Sequence, residues 1–137
     1  MMISTKGRYA LKVMIDLAAH SGEGLIPLKE ITERLNMSLK YVESIMSVLS
    51  KGHMVESASG KHGGYRLTRE PDKYTVGEIL RLAEGDLLPV SCNGLHEDVC
   101  ENADSCYTFP FWNGLNQVIN EYLDSHTLAD LVNKNNN

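Results

Sequence analysis

Two short strand-like runs, Met54–Ala58 and Tyr65–Thr68, flank the segment Ser59-Gly60-Lys61-His62-Gly63-Gly64. Glycines and a basic residue between two short strands predict a β-hairpin with a flexible tip. Everything upstream of it has helical period. Helices first, then one small hairpin, is the pattern that most restricts how this chain can fold.

Tyr9, Val13 and Leu17, with Ala10, Met14 and Ala18 beside them, recur at helical spacing, which predicts a first helix over about 6–20. Ser21-Gly22-Glu23-Gly24 ends it. Pro27 opens a short second helix with Leu28, Ile31 and Leu35 on its buried face, and Asn36-Met37 makes the turn. Ser38 is a good N-cap for a third helix, because its hydroxyl can accept from an exposed backbone N–H. Leu39, Val42, Met46 and Leu49 form one buried stripe there, with Ile45 beside it, and Gly52 stops the helix. After the hairpin, Thr75 and Glu78 fit a capping box for a fourth helix over about 76–84. Phe111, Trp112, Leu115, Val118, Ile119 and Tyr122 make an amphipathic helix over about 108–124, and Thr127 caps a last short helix carrying Leu128, Leu131 and Val132.

Helix, short helix, turn, third helix and Gly-rich hairpin is the order of a winged helix-turn-helix. The fold class predicted is therefore mainly α with a small β-hairpin wing, followed by a long C-terminal helix, to which the family resemblance given below assigns dimerisation. The expected divisions are a winged helix-turn-helix DNA-binding domain over 1–84, a cysteine-containing loop over 85–107, that long helix with a short C-terminal helix over 108–132, and a disordered tail over 133–137.

Net charge is −5 over 137 residues, which is unpromising for a nucleic-acid binder until the chain is divided. Residues 1–80 hold 11 Lys/Arg against 9 Asp/Glu, hence +2; residues 81–137 hold 2 against 9, hence −7. Only the front of the chain is suited to approach phosphate. The candidate contacts follow from the fold. Ser38, Lys40, Tyr41, Glu43, Ser44 and Ser47 lie off the apolar stripe of the third helix, which this fold seats in the major groove. Glu43 repels phosphate, so it would accept from cytosine N4 or restrict the sites tolerated. Lys61 and His62 at the hairpin tip can reach a minor groove or the backbone, with Gly60, Gly63 and Gly64 permitting close approach. Ser4, Thr5, Lys6 and Arg8 at the start of the first helix can clamp phosphate.

Cys92, Cys100 and Cys106 fall within 15 residues. Three is an odd number, and Met1 to Ala19 has charges where an export signal needs an unbroken apolar run, so a cytoplasmic protein with metal-binding or redox cysteines is expected rather than a disulfide framework. Glu97, Asp98, Glu101 and Asp104 surround them, and negative charge raises thiol pKa values, so they should be poor thiolates unless a cation holds them deprotonated. An iron–sulfur cluster, a zinc ion shared with His96, and plain thiols are all compatible with the spacing. His20, His53 and His126 read as surface or packing residues. No Cys–His motif, phosphate loop or carboxylate pair supports an enzyme, and no apolar run is long enough to span a membrane.

The stretches Ser4-Thr5-Lys6-Gly7-Arg8-Tyr9-Ala10-Leu11, Ile26-Pro27-Leu28 to Ile31, Ser38-Leu39-Lys40-Tyr41-Val42-Glu43, Gly60 to Gly63-Gly64-Tyr65-Arg66-Leu67 and Val76-Gly77-Glu78-Ile79 resemble, in order, the Rrf-two family of winged-helix regulators, the IscR/NsrR/CymR type. The resemblance implies a homodimer binding double-stranded DNA at an imperfect inverted repeat, with the long helix crossing to its partner. It carries base reading to Ser38, Lys40, Tyr41 and Glu43, and dimerisation to the apolar face of Phe111, Trp112, Leu115, Val118, Ile119 and Tyr122. The three-cysteine loop is similar to that of the cluster-binding branch, which implies an iron–sulfur cluster on Cys92, Cys100 and Cys106, 2Fe–2S in preference to 4Fe–4S. The alternative is a cluster-independent regulator of sulfur metabolism genes, zinc-bound or controlled by a partner protein. The chain departs from the family pattern at three places: Ser59 stands where cluster-binding members carry a wing Arg, Phe109 at the family's His ligand, and Arg8 at an Asp ligand.

Overall fold

The computed structural model describes residues 3–90 and 106–134, with Lys134 described in its backbone alone. Six helices and one hairpin appear among them: α1 (Thr5–Ala19), α2 (Leu28–Leu35), α3 (Leu39–Lys51), β1 (Val55–Ala58), β2 (Gly64–Leu67), α4 (Val76–Glu84), α5 (Phe109–Asp124) and α6 (Leu128–Lys134), with a single 3-10 turn at Pro71–Lys73. This is the mainly α, winged architecture the residue pattern predicts.

Local signals set most of the boundaries. Ser38 extends into the cap position and accepts from the Tyr41 N–H at 3.2 Å. Thr75 and Glu78 form the full capping box, each side chain bonded to the other's backbone N–H at 3.0–3.1 Å. Thr127 and Asp130 repeat that arrangement at the start of α6. Asn36 closes α2 in the left-handed region at φ 52°, which a short amide side chain tolerates better than most. Gly52 does end α3, but not by adopting positive φ: that residue is His53, at φ 58°. Gly52 is small because the Leu82 side chain packs over it, 2.4 Å from where a Cβ would stand.

One core unites α1, α2, α3, the root of the hairpin and α4. Val13, Met14, Ile31, Val42, Ile45, Met46, Leu49, Tyr74 and Ile79 are all buried in it. Its polar supports are specific. The Tyr74 hydroxyl donates to the Met54 carbonyl (2.7 Å) and accepts from the backbone N–H groups of Thr68 and Arg69, which pins the base of the wing. Asp16, buried on α1, takes a two-pronged bond from Arg34 of α2 at 2.8 and 2.9 Å. That pair fixes the angle between the first two helices, and the Asp16 hydrogen bond raises the Arg34 pKa.

Three features depart from the expected organisation. Leu39 is expected on the buried stripe of the third helix, yet, as the first residue of that helix, it is 53% exposed. The hairpin gains a third extended segment, because Ile26 and Tyr65 exchange backbone hydrogen bonds at 2.8 and 2.9 Å. Gly64 permits this approach, since a Cβ there would lie 2.3 Å from the Ile26 carbonyl oxygen. Finally α6 is no appendage: Leu128 is fully buried in the same core as α1, and Val76 N–H and Leu128 N–H bond to the carbonyls of His126 and Tyr74. It also continues through Asn133 and Lys134, residues expected in the tail.

Candidate nucleic-acid interface

The outward arc of α3 is polar. Ser38, Lys40, Glu43, Ser44 and Ser47 are exposed, while Val42, Ile45, Met46 and Leu49 face the core. Ser44 donates its hydroxyl proton to the Tyr41 carbonyl at 2.8 Å, so toward a ligand it presents acceptor lone pairs. Tyr41 is less available than its polarity predicts: it is half-buried, and its ring meets that of Tyr9 edge-on at 5.7 Å. Lys12 lies over the other ring of that pair, 4.9 Å from the Tyr9 centroid. Tyr41 therefore braces α3 against α1.

The start of α1 is expected to clamp phosphate, but the backbone N–H groups there are occupied by the chain itself. The Glu84 carboxylate, at the end of α4, accepts from Ser4 N–H (2.9 Å), from Gly7 N–H (3.0 Å) and from the Ser4 hydroxyl. Gly7 admits it; a Cβ there would fall 2.2 Å from the carboxylate oxygen. The side chains of Thr5, Lys6 and Arg8 remain exposed at this end. Arg8 stands apart from the other arginines. Arg34, Arg66, Arg69 and Arg81 pair with Asp16, Glu56, Glu78 and Asp124, whereas among the described residues no carboxylate reaches Arg8, whose one bond is to Thr5 Oγ1 at 3.4 Å.

At the wing tip Gly60, Lys61 and His62 are exposed, and the turn is closed by Gly63 N–H on the Gly60 carbonyl at 3.1 Å. Gly60 sits at φ 110°, a conformation that favours glycine, and Gly63 lies where a Cβ would be 2.3 Å from the Ala58 carbonyl oxygen. The glycines hold a tight tip that projects Lys61.

The apolar residues of α5 are not buried. Phe111, Leu115, Val118 and Tyr122 recur at spacings of four, three and four, and are exposed, Phe111 by 67% and Val118 by 62%. Trp112 and Ile119 are half-buried, and Trp112 packs edge-on against Phe111. The opposite side of the helix is tied down: Arg81 of α4 bonds Asp124 (2.8 and 2.9 Å) and Asn120 (2.7 Å). An apolar face held rigidly outward is suited to a partner.

Of the three cysteines, Cys92 and Cys100 lie outside the described residues, as does His96. Cys106 is half-buried just ahead of α5, with Thr108 Oγ1 3.3 Å from its sulfur. That hydroxyl, followed by the backbone N–H groups of Thr108 and Phe109, lowers its thiol pKa. Glu97, Asp98, Glu101 and Asp104, on which the expectation of poor thiolates rests, lie outside the described residues; the donors at the start of α5 favour the Cys106 thiolate, as a metal or cluster ligand requires. Phe109, at the family's His position, offers no ligand atom.

A polar outward arc on the third helix, followed by a Gly-rich hairpin, defines a winged helix-turn-helix regulator of the DNA-binding class. The chain belongs to the Rrf2 family: the model described as "Iron-dependent Transcriptional regulator" matches residues 3–134. It is 40% identical over 132 residues to the HTH-type transcriptional regulator IscR of Sodalis glossinidius, spanning 96% of this chain and 79% of that protein. Among solved structures it is similar to CymR (YrzC), the global cysteine regulator of B. subtilis, at 40% identity and TM-score 0.80, with 98% of each chain covered. T. potens IscR matches at 39% identity and TM-score 0.77, covering 98% of this chain and 88% of that one. These relatives are named as transcriptional regulators, and the protein is a transcriptional regulator of this type rather than an enzyme. No helix among the described residues is long and apolar enough to cross a membrane.

Proposed function

We propose that this cytoplasmic regulator works as a homodimer on an imperfect inverted repeat, with Cys92, Cys100 and Cys106 holding an iron–sulfur cluster that sets its DNA affinity. The observation that carries the DNA reading is Arg8: among the described residues no carboxylate pairs with it, at the start of α1 where Tyr9 meets Tyr41 of α3, while every other arginine is ion-paired within the chain. Lys40, Glu43 and Ser44 read base edges, Ser38 caps the helix at the groove, and Lys6, Arg8 and Thr5 hold phosphate. Lys61, His62 and the tip glycines reach the flanking groove. The α5 stripe of Phe111, Leu115, Val118 and Tyr122, with Trp112 and Ile119, pairs two copies and spaces their α3 helices. When bound, a cluster would supply a redox- and ligand-sensitive centre next to α5; this chain supplies the thiolates. The iron-dependent family description and the IscR relatives favour the cluster.

Protein purified without air should be coloured and carry iron and sulfide, and Cys92→Ala, Cys100→Ala and Cys106→Ala should each lose the cluster and change operator affinity. Arg8→Ala should weaken binding evenly across DNA sequences and reduce the slope of log affinity against log salt by about 1. A second reading, a cluster-independent regulator, is supported by the 98% mutual coverage with CymR. Colourless, iron-free anaerobic protein that binds its operator normally establishes that reading instead.

A further inference from the structure

We propose that Leu39 is a specificity residue, placed to contact the C5-methyl group of a thymine in the major groove. This rests on the reading of α3 as the groove helix. Six large apolar side chains are exposed among the described residues, and five of them, Tyr107, Phe111, Leu115, Val118 and Tyr122, lie on or beside α5. Leu39 is the sixth and stands alone. It is the first residue of α3, in the turn where recognition helices meet base edges. Glu43 follows one turn later on the same side of the helix, and Lys40 is its immediate neighbour.

The polar groups on this face leave one feature of DNA unread. Lys40 donates, as guanine O6 and N7 require. Glu43 accepts, as cytosine N4 requires. Ser44, its proton committed to the Tyr41 carbonyl, also accepts, from adenine N6 or cytosine N4. The thymine methyl is the single apolar group in the major groove, and no hydrogen-bonding side chain recognises it. Leu39 is the apolar side chain available on this face to do so, and it places a thymine next to the base read by Glu43.

The test uses the full chain and duplexes recovered by it from a random pool, with each thymine of the recovered site replaced in turn by deoxyuracil. At one thymine per half-site, removal of the methyl should weaken wild-type binding about 4-fold, the loss corresponding to roughly 0.8 kcal/mol for one methyl-sized group. Leu39→Ala should bind the thymine duplex more weakly by a similar factor and be indifferent to the methyl at that position, while every other thymine affects both proteins equally. Circular dichroism and melting of Leu39→Ala should match wild type, since the side chain leaves the core intact. If Leu39→Ala keeps the wild-type methyl dependence at every position, or binds as tightly as wild type, Leu39 reads no methyl and its exposure serves another partner, with the DNA reading untouched. A chain that recovers no duplex at all overturns the DNA reading itself.

Discussion

The stripes of α1 and α5 are written in the same alphabet but have opposite fates. Ala10, Val13, Met14 and Leu17 of α1 disappear into a core shared with four other helices. Phe111, Leu115, Val118 and Tyr122 of α5 also follow the helical period, and no residue of that helix is buried. Period shows that a face is meant to be covered; it does not say by what. In α1 the cover lies within the same chain. In α5 the rear of the helix is clamped by Arg81, and the described residues leave the face uncovered; the proposed cover is a second copy.

Breaking that contrast should have its largest consequence on α5. Phe111→Asp combined with Val118→Asp should convert the protein from dimer to monomer in sedimentation at micromolar concentration. Because two half-sites would no longer be bridged, operator affinity should fall about 100-fold or more. The front unit should keep its helical circular dichroism; a variant that stays dimeric would show that the α5 face is not the interface. Within the front unit, Tyr74→Phe should cost about 1–3 kcal/mol of stability by denaturant titration, because the Met54 carbonyl and two backbone N–H groups lose their shared partner inside the core. Glu84→Ala attacks the contact between the end of α4 and the start of α1. Losing the cap on α1 should destabilise the protein by about 1 kcal/mol, with Glu84→Gln recovering part of it. Unchanged stability in Glu84→Ala would mean that the cap contributes nothing.

The smallest effect should appear in the pH dependence of stability. Burial pushes the Glu78 carboxyl up, but the Thr75 backbone N–H and the Arg69 guanidinium outweigh it, so its pKa lies below the ordinary 4.5. A depressed carboxyl favours the folded state while it is ionised. The contribution is therefore complete above pH 4.5 and fades as pH falls through the folded value beneath it. Wild type should exceed Glu78→Gln in melting temperature at neutral pH, and the gap should narrow as the solution is acidified below that point. A gap that stays constant with pH would remove the charge from the explanation.

What the residues alone made legible were features settled within a turn or two of helix. Ser38, Thr75 with Glu78, and Thr127 cap their helices because a hydroxyl and the N–H groups it serves are three residues apart. The hairpin followed from its glycines, and the polar arc of α3 from its period. The same reasoning misjudged Leu39, because period cannot tell that the first turn of a helix extends past the core. It read Tyr41 as free, because its partner Tyr9 lies on another helix. The cysteine loop is an expectation from composition and resemblance alone, and Cys92 and Cys100 lie outside the described residues.

Tertiary structure decided whatever depends on a partner far along the chain. Glu84 caps a helix 77 residues upstream at Gly7, Arg34 neutralises Asp16, Ile26 joins the wing, and Leu128 completes a core begun at Ala10. None of these pairs has a spacing signature, because the energy of each contact is set by positions in space that only the assembled helices define. The sequence by itself determined which elements form and which faces are apolar or charged. Packing determined which of those faces were spent inside the molecule and which, like the arc of α3 and the stripe of α5, were left to act on something else.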